Sequence, residues 1–207
     1  MNEKKLEKIA IVELESDIPN VGQILAMPRF GITVIGSKLA EAGYDVDVLT
    51  DAYTGVTLDA ILENKPDIVM FNSMKTSLHR TKAMAKDIKN NNPDIPIVMG
   101  GEEATVFPEI HIEFSDYIVT HEGDETVLNL AEAIRTGSDL SEIKGIVYKD
   151  KQTGKLTKTE MPDRVKEINY KLKPSIFKGL REISKSWLAR KLGLIKSKKG
   201  YRALSFP

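Results

Sequence analysis

Short apolar runs alternate along this chain with longer stretches in which apolar residues recur every three or four positions. Lys8-Ile9-Ala10-Ile11-Val12-Glu13-Leu14 is the first run and predicts a strand. A loop over 15–30, carrying Pro19, Gly22 and Pro28, leads to a helical pattern from Gly31 to about Ala42, with Gly43 placed to cap it. Tyr44 to Thr50 alternates as a second strand, and Leu58 to Asn64 reads as a short helix. Asp67-Ile68-Val69-Met70-Phe71-Asn72 is a continuous apolar strand of the kind buried on both faces. The pattern then repeats, with helix from Ser77 to Asn90, strand from Ile95 to Met99, a helix over Ala104 to Phe114 interrupted near Pro108, strand from Tyr117 to Thr120, and helix from Asp124 to Thr136. Gly145 to Lys149 and Lys155 to Glu160, on either side of Asp150-Lys151-Gln152-Thr153-Gly154, predict an edge β-hairpin. Strict alternation with short connections specifies the α/β class: a doubly wound, mostly parallel sheet, Rossmann-like or flavodoxin-like, with right-handed crossovers.

Composition adds a division of the chain. At 207 residues and 41% hydrophobic content it can bury one sizeable core with some chain to spare. The net charge of zero conceals an asymmetry: residues 1–160 carry 17 Lys and Arg against 27 Asp and Glu, whereas 161–207 carry 13 against 3. Residues 1–160 are therefore expected to form the α/β domain, and 161–207 a basic extension. Pro162 and Pro174 mark a linker, beyond which Phe177, Leu180, Ile183, Trp187, Leu188, Leu192 and Ile195 recur at helical spacing among Lys and Arg, the pattern of a basic amphipathic helix. No window approaches the roughly 20 apolar residues of a membrane span, and Met1-Asn2-Glu3-Lys4-Lys5 leads into no signal-peptide apolar region, so a cytoplasmic location is expected. The absence of cysteine excludes disulfides, thiolate nucleophiles, iron–sulfur ligation and cysteine-bound zinc within this chain.

Three strand ends hold the candidate chemistry. Asn72-Ser73-Met74-Lys75-Thr76 follows the third strand, Gly100-Gly101-Glu102 the fourth and His121-Glu122-Gly123 the fifth, all facing one edge of the sheet. Ligands of open parallel sheets lie outside the carboxyl ends of the strands, and glycine there removes the Cβ that would keep a flat ligand from the main chain. Each loop taken singly also reads as ordinary turn chemistry, with Asp124 as a helix N-cap. Nucleotide signatures are missing: Glu13-Leu14-Glu15-Ser16-Asp17 stands where dinucleotide binding needs G-x-G-x-x-G, and there is no P-loop. His79, His111 and His121 lie on separate elements without the i, i+4 pairing of a metal site, so surface or capping roles are expected, with His121 also a candidate ligand contact. Glu102, Glu103, Glu122, Asp124 and Glu125 have no nucleophile or base partner and are expected to be solvated or to cap helices. No residue is assigned a catalytic or metal-ligating role.

A family resemblance joins these segments. Met27-Pro28-Arg29-Phe30-Gly31, Glu41-Ala42-Gly43-Tyr44-Asp45-Val46, Lys65-Pro66-Asp67-Ile68-Val69, Asn92-Pro93-Asp94-Ile95-Pro96-Ile97-Val98-Met99-Gly100-Gly101, Asp116-Tyr117-Ile118-Val119 and Glu122-Gly123-Asp124-Glu125-Thr126 resemble, in order, the N-terminal cobalamin-binding domain of B12-dependent radical SAM enzymes. Leu140-Ser141-Glu142-Ile143-Lys144-Gly145-Ile146-Val147-Tyr148 resembles that family's closing hairpin, so the likeness covers about residues 7–160. It implies a cobalamin on the carboxyl edge of the sheet, with its nucleotide tail between strands near Gly100-Gly101. It further implies that a side chain at either glycine blocks the tail while leaving the fold largely intact. Asn72-Ser73-Met74 stands where related B12 domains carry Ser-x-Leu, exchanging hydroxyl for amide at Asn72. Many B12 domains also carry D-x-H-x-x-G after strand one, with the histidine on cobalt. Here Asp17-Ile18-Pro19-Asn20-Val21-Gly22 has proline at that place, which excludes a cobalt-ligating side chain from position 19.

In that family a basic connector leads to a C-x-x-x-C-x-x-C loop holding an iron–sulfur cluster, whereas this sequence ends at Ser205-Phe206-Pro207 without cysteine. The chain is accordingly expected to be a fragment, or a product cut before the catalytic domain, without radical SAM activity alone. The expected cofactor is cobalamin, as methylcobalamin or another corrinoid. An iron–sulfur cluster and S-adenosylmethionine would belong to a downstream catalytic domain, the expected protein partner; no nucleic acid is expected. Two other classes stay open: a flavodoxin-like protein binding flavin or nucleotide, and an interaction protein whose basic helix around Trp187 lies on a membrane surface or a partner.

Overall fold

The computed structural model describes residues 7–16, 30–51, 55–150 and 153–163, together with Lys173 and Ile176. The first half contains β1 (Lys8–Glu13), α1 (Phe30–Glu41), β2 (Asp45–Thr50), α2 (Leu58–Leu62), β3 (Ile68–Asn72) and α3 (Leu78–Asn91). There follow β4 (Ile97–Gly100), α4 (Glu102–Val106), α5 (Pro108–His111), β5 (Tyr117–Val119), α6 (Asp124–Thr136), β6 (Ile146–Lys149) and β7 (Leu156–Lys158). The break between α4 and α5 falls where Pro108, lacking an N–H, starts a new helix, as the sequence pattern predicts.

These strands form one sheet in the order β2-β1-β3-β4-β5-β6-β7. The pairings from β2 to β5 are parallel, and β6 and β7 add on as an antiparallel hairpin beside β5. β2 and β3 flank β1 on opposite sides, so the direction of winding reverses at β1 and β3. Their carboxyl ends form the crevice where such folds hold ligands.

Alternation along each strand sorts the core into two layers. Ile9, Ile11, Val46, Val48, Ile68, Met70, Val98 and Val119 pack beneath α1 and α6 with Ile32, Leu39, Val127 and Leu130. Ala10, Val12, Leu49, Val69, Phe71, Ile97, Met99 and Ile118 face the other way, against Ile61, Ala85, Ile88, Ala104 and Ile112 of α2, α3, α4 and the segment after α5. Burial on both faces explains why β3 reads as a continuous apolar run rather than an alternating one.

Beyond the hairpin, Ile176 is buried against Gly36 of α1, where a Cβ would stand 2.7 Å from Ile176 Cδ1, and the Lys173 N–H donates to Ser37 Oγ at 2.8 Å. The basic amphipathic helix expected from Phe177 onward lies outside the described residues. Among the described residues no helix is long and apolar enough to cross a membrane.

Candidate functional site

Strand register brings Thr50, Glu13, Asn72 and Gly100 into one row across β2, β1, β3 and β4. Counting by twos from Val48, Ile11, Met70 and Val98 puts all four on the face covered by α1 and α6. Thr50 Oγ1 donates to Glu13 Oε2 and Asn72 Nδ2 donates to Glu13 Oε1, each at 3.2 Å. Glu13 and Thr50 are buried, and a buried carboxyl group is costly unless hydrogen-bonded. The same contact orients Asn72, with its NH2 group toward Glu13 and its Oδ1 toward Gly101. Beside this row, Asp51 accepts from the main-chain N–H groups of Glu15 (3.0 Å) and Val56 (2.7 Å) and from Arg80 at 2.6 Å, fixing the exits of β1 and β2.

Next to the row lies a slot of ≈ 350 Å³, within the roughly 300–1,000 Å³ range of small-molecule sites. Its floor is Ile11, Met70, Val98 and Val119; its walls are Ile32 and Ile35 of α1 and Val127 of α6. Asn72, Gly100, Gly101, His121, Glu122, Gly123 and Asp124 surround its mouth. The slot exists because α1 and α6 cover this layer further down the strands but leave the carboxyl ends of β3 to β5 uncovered. Gly100 is decisive, because among the described residues a Cβ there would meet nothing closer than the Val119 and Phe71 carbonyl oxygens at 3.8 and 4.0 Å. The main chain of β4 is thus laid open to a flat group without strain in the protein.

The two glycines differ. Gly101 begins α4 with φ 98° and ψ 177°, a conformation open essentially to glycine alone, and a Cβ would lie 2.5 Å from Asn72 Oδ1 and 2.6 Å from the Ser73 carbonyl oxygen. The expectation that a side chain at either glycine leaves the fold intact is therefore corrected for Gly101, whose close approach to the β3 loop is part of the fold.

Hydrogen bonds tie the three loops together. His111 is fully buried, which corrects its expected surface or capping role. Its Nδ1–H donates to the Phe107 carbonyl oxygen at 2.9 Å, which leaves Nε2 to accept from Ser73 Oγ–H at 2.8 Å. Thr105 Oγ1 donates to the Gly101 carbonyl oxygen and accepts from the His121 N–H, both at 3.0 Å. His121 itself has φ 57°, in the left-handed region, and this bond holds it there. Gly123, not Asp124, is the N-cap of α6; Asp124 and Glu125 occupy its first turn, favourable at a helix N-terminus, and Lys38 pairs with them at 3.9 and 2.8 Å.

An apolar slot at the switch point, floored by four strands and bared at a glycine, fits a flat, weakly polar group better than a nucleotide polyphosphate: among the described residues that line it there is no Lys or Arg. Residues 25–131, just over half of the chain, match the B12-binding domain family.

The chain belongs to the B12-binding domain family.

Relatives of this B12-binding domain include an uncharacterised methyltransferase of Pyrococcus horikoshii, 28% identical over 130 residues, which are 59% of this chain and 28% of that protein. The anaerobic magnesium-protoporphyrin IX monomethyl ester cyclase of Rubrivivax gelatinosus is 30% identical over 132 residues, or 58% of this chain and 24% of the cyclase. The chain thus spans about a quarter of the length of the curated relatives it matches. Its fold is shared with OxsB, a cobalamin-dependent S-adenosylmethionine radical enzyme solved with aqua-cobalamin and S-adenosylmethionine bound, at a TM-score of 0.63 and 20% identity over 77% of this chain and 23% of that one. TsrM from Kitasatospora setae, a radical S-adenosylmethionine methyltransferase solved with tryptophan and a S-adenosylmethionine analogue, gives a TM-score of 0.60 at 18% identity over 74% of this chain and 30% of TsrM.

The B12-binding domain brings six of the residues singled out in the sequence to one slot: Asn72, Gly100, Gly101, His121, Glu122 and Gly123. Ser73 is buried behind it on His111, while Lys75, Thr76 and Glu102 are exposed and Met74 is half-buried. The Asp17 to Gly22 segment lies outside the described residues. Glu13, Thr50, Thr105 and His111 were missed, although one signal was available: a polar residue ends three adjacent apolar strands at matching positions. Among the described residues no group of three or more His, Cys, Asp or Glu could hold a metal ion. Thr105→Val removes a hydroxyl that both donates and accepts, and a loss of about 1 kcal/mol is expected in urea denaturation, with faster hydrogen exchange at the His121 amide.

Proposed function

We propose that this chain is the cobalamin-holding module of a B12-dependent radical SAM protein of the methyltransferase type. The observation that carries the reading is the apolar slot at the switch point whose mouth is bared at Gly100. Its shape suits the flat base of a corrinoid's nucleotide tail, with the ring system resting on the carboxyl edge outside it. Asn72, Gly100, Gly101, Glu122 and Gly123 would hold the tail, His121 would contact it at the mouth, and Ser73, Met74, Lys75, Thr76 and Glu102 would edge the surface where the ring lies.

The chain's own contribution is binding, orientation and exclusion of water, while the cofactor carries the chemistry. When bound, a corrinoid supplies the chemistry of a cobalt-held alkyl group. Glu13 keeps Asn72 in one orientation, and Thr105 with His111 keeps the β3, β4 and β5 loops at fixed spacing, so the mouth is set before a ligand arrives. A catalytic domain with its own iron–sulfur cluster and S-adenosylmethionine is the partner this reading requires.

Purified protein mixed with hydroxocobalamin and passed over a gel-filtration column is expected to elute with the corrinoid's visible spectrum. Elution of the protein without corrinoid, or retention of flavin in its place, would refute the reading.

A further inference from the structure

The interior of the slot has a chemical bias that bears on which corrinoid it takes. Ile11, Met70, Val98 and Val119 form its floor and Ile35 and Val127 stand over it, so among the described residues no side chain within it offers a hydrogen bond. The floor's main chain offers none either. Ile11 is registered against Met70 and Met70 against Val98, inside a continuous parallel ladder, and Val119 is registered against Ile146. Their N–H and C=O groups are directed at neighbouring strands rather than into the slot. Among the described residues polar partners sit only at the mouth, and there Asn72 already gives one amide hydrogen to Glu13.

Resting on the corrinoid reading, we propose that the slot selects corrinoids by the polarity of the lower base. A benzimidazole, whose fused rings carry methyl groups, takes a single free ring nitrogen into the apolar interior as its one hydrogen-bonding atom there. An adenine base carries an exocyclic amine and additional ring nitrogens, which would enter the slot stripped of water and without partners. The discrimination follows from the cost of burying polar groups unpaired, not from size, because the two bases are both flat and bicyclic.

The test titrates the full chain with three corrinoids followed by visible absorbance and equilibrium dialysis: hydroxocobalamin, the corresponding adenine-base corrinoid, and cobinamide, which has no lower base. Cobalamin is expected to bind at least about tenfold more tightly than the adenine form, the equivalent of about 1.4 kcal/mol. Cobinamide is expected to bind more weakly than cobalamin as well, since it leaves the slot unfilled. Equal affinity for the two complete corrinoids overturns the proposal while leaving the corrinoid reading standing, and so does cobinamide binding as tightly as cobalamin. Failure of all three to bind removes the corrinoid reading itself. A Val98→Thr chain, which places a hydroxyl on the floor with little change of shape, is expected to narrow the ratio between the two bases; an unchanged ratio counts against the floor as its source.

Discussion

A Gly100→Leu chain is expected to denature at nearly the same urea concentration as its parent and to have lost corrinoid binding about a hundredfold, since overpacking a closed site costs typically ~1–3 kcal/mol and every 1.4 kcal/mol is tenfold. The two halves of this expectation have separate causes. In the protein, a Cβ at Gly100 meets, among the described residues, only the Val119 and Phe71 carbonyl oxygens at ordinary contact distance, and replacing a strand glycine removes backbone freedom from the unfolded chain. In the slot, the same side chain points from the row of Asn72 and Glu13 over Val98, into the space a flat ligand would use. Urea denaturation and hydroxocobalamin titration of one preparation separate the effects. A chain that both folds normally and binds normally would show that β4 is not the ligand's wall.

Gly101→Ala is expected to act on the fold instead, with a loss on the order of 3 kcal/mol from forcing a non-glycine residue into this backbone region. The added Cβ would fall on Asn72 Oδ1 and on the main chain of Ser73, and backbone cannot yield as the tip of a side chain can. Relief requires the β3 and β4 loops to separate. That would strain the Ser73 N–H bond to the Gly100 carbonyl oxygen (2.8 Å) and with it the Ser73 to His111 contact. The denaturation midpoint should fall clearly below that of Gly100→Ala measured alongside. Equal stability of the two alanine variants would show that the loops part easily.

Much of the architecture is legible in the sequence because it rests on periodicity. The apolar runs at Ile9 to Val12, Ile68 to Phe71 and Ile97 to Met99 are long enough to require burial, and the amphipathic stretches between them supply the covering helices. The strand-end glycines are legible as part of a site because three strand ends carry glycine or polar residues together, although each loop taken singly reads as a turn. Lateral register is harder to read. That Glu13 meets both Thr50 and Asn72 depends on alignment between segments far apart in the chain, and no local pattern encodes it. His111 illustrates the same difficulty, since a lone histidine on a short helix near Pro108 carries no sign that Ser73 reaches it from 38 residues away. The difference between Gly100 and Gly101 depends on a backbone angle and one close approach, neither of which composition reveals.

The row Thr50, Glu13, Asn72 also limits how this lineage can vary. Glu13 receives a donor on each oxygen, one from each neighbouring strand, so either neighbour changed alone leaves a buried oxygen without that donor. Serine at position 72, as in the Ser-x-Leu segments of related domains, is shorter by an amide group and draws back from Glu13. Positions 13 and 72 are therefore expected to covary, and an alignment of descendants in which asparagine has become serine should record a change at 13 beside it.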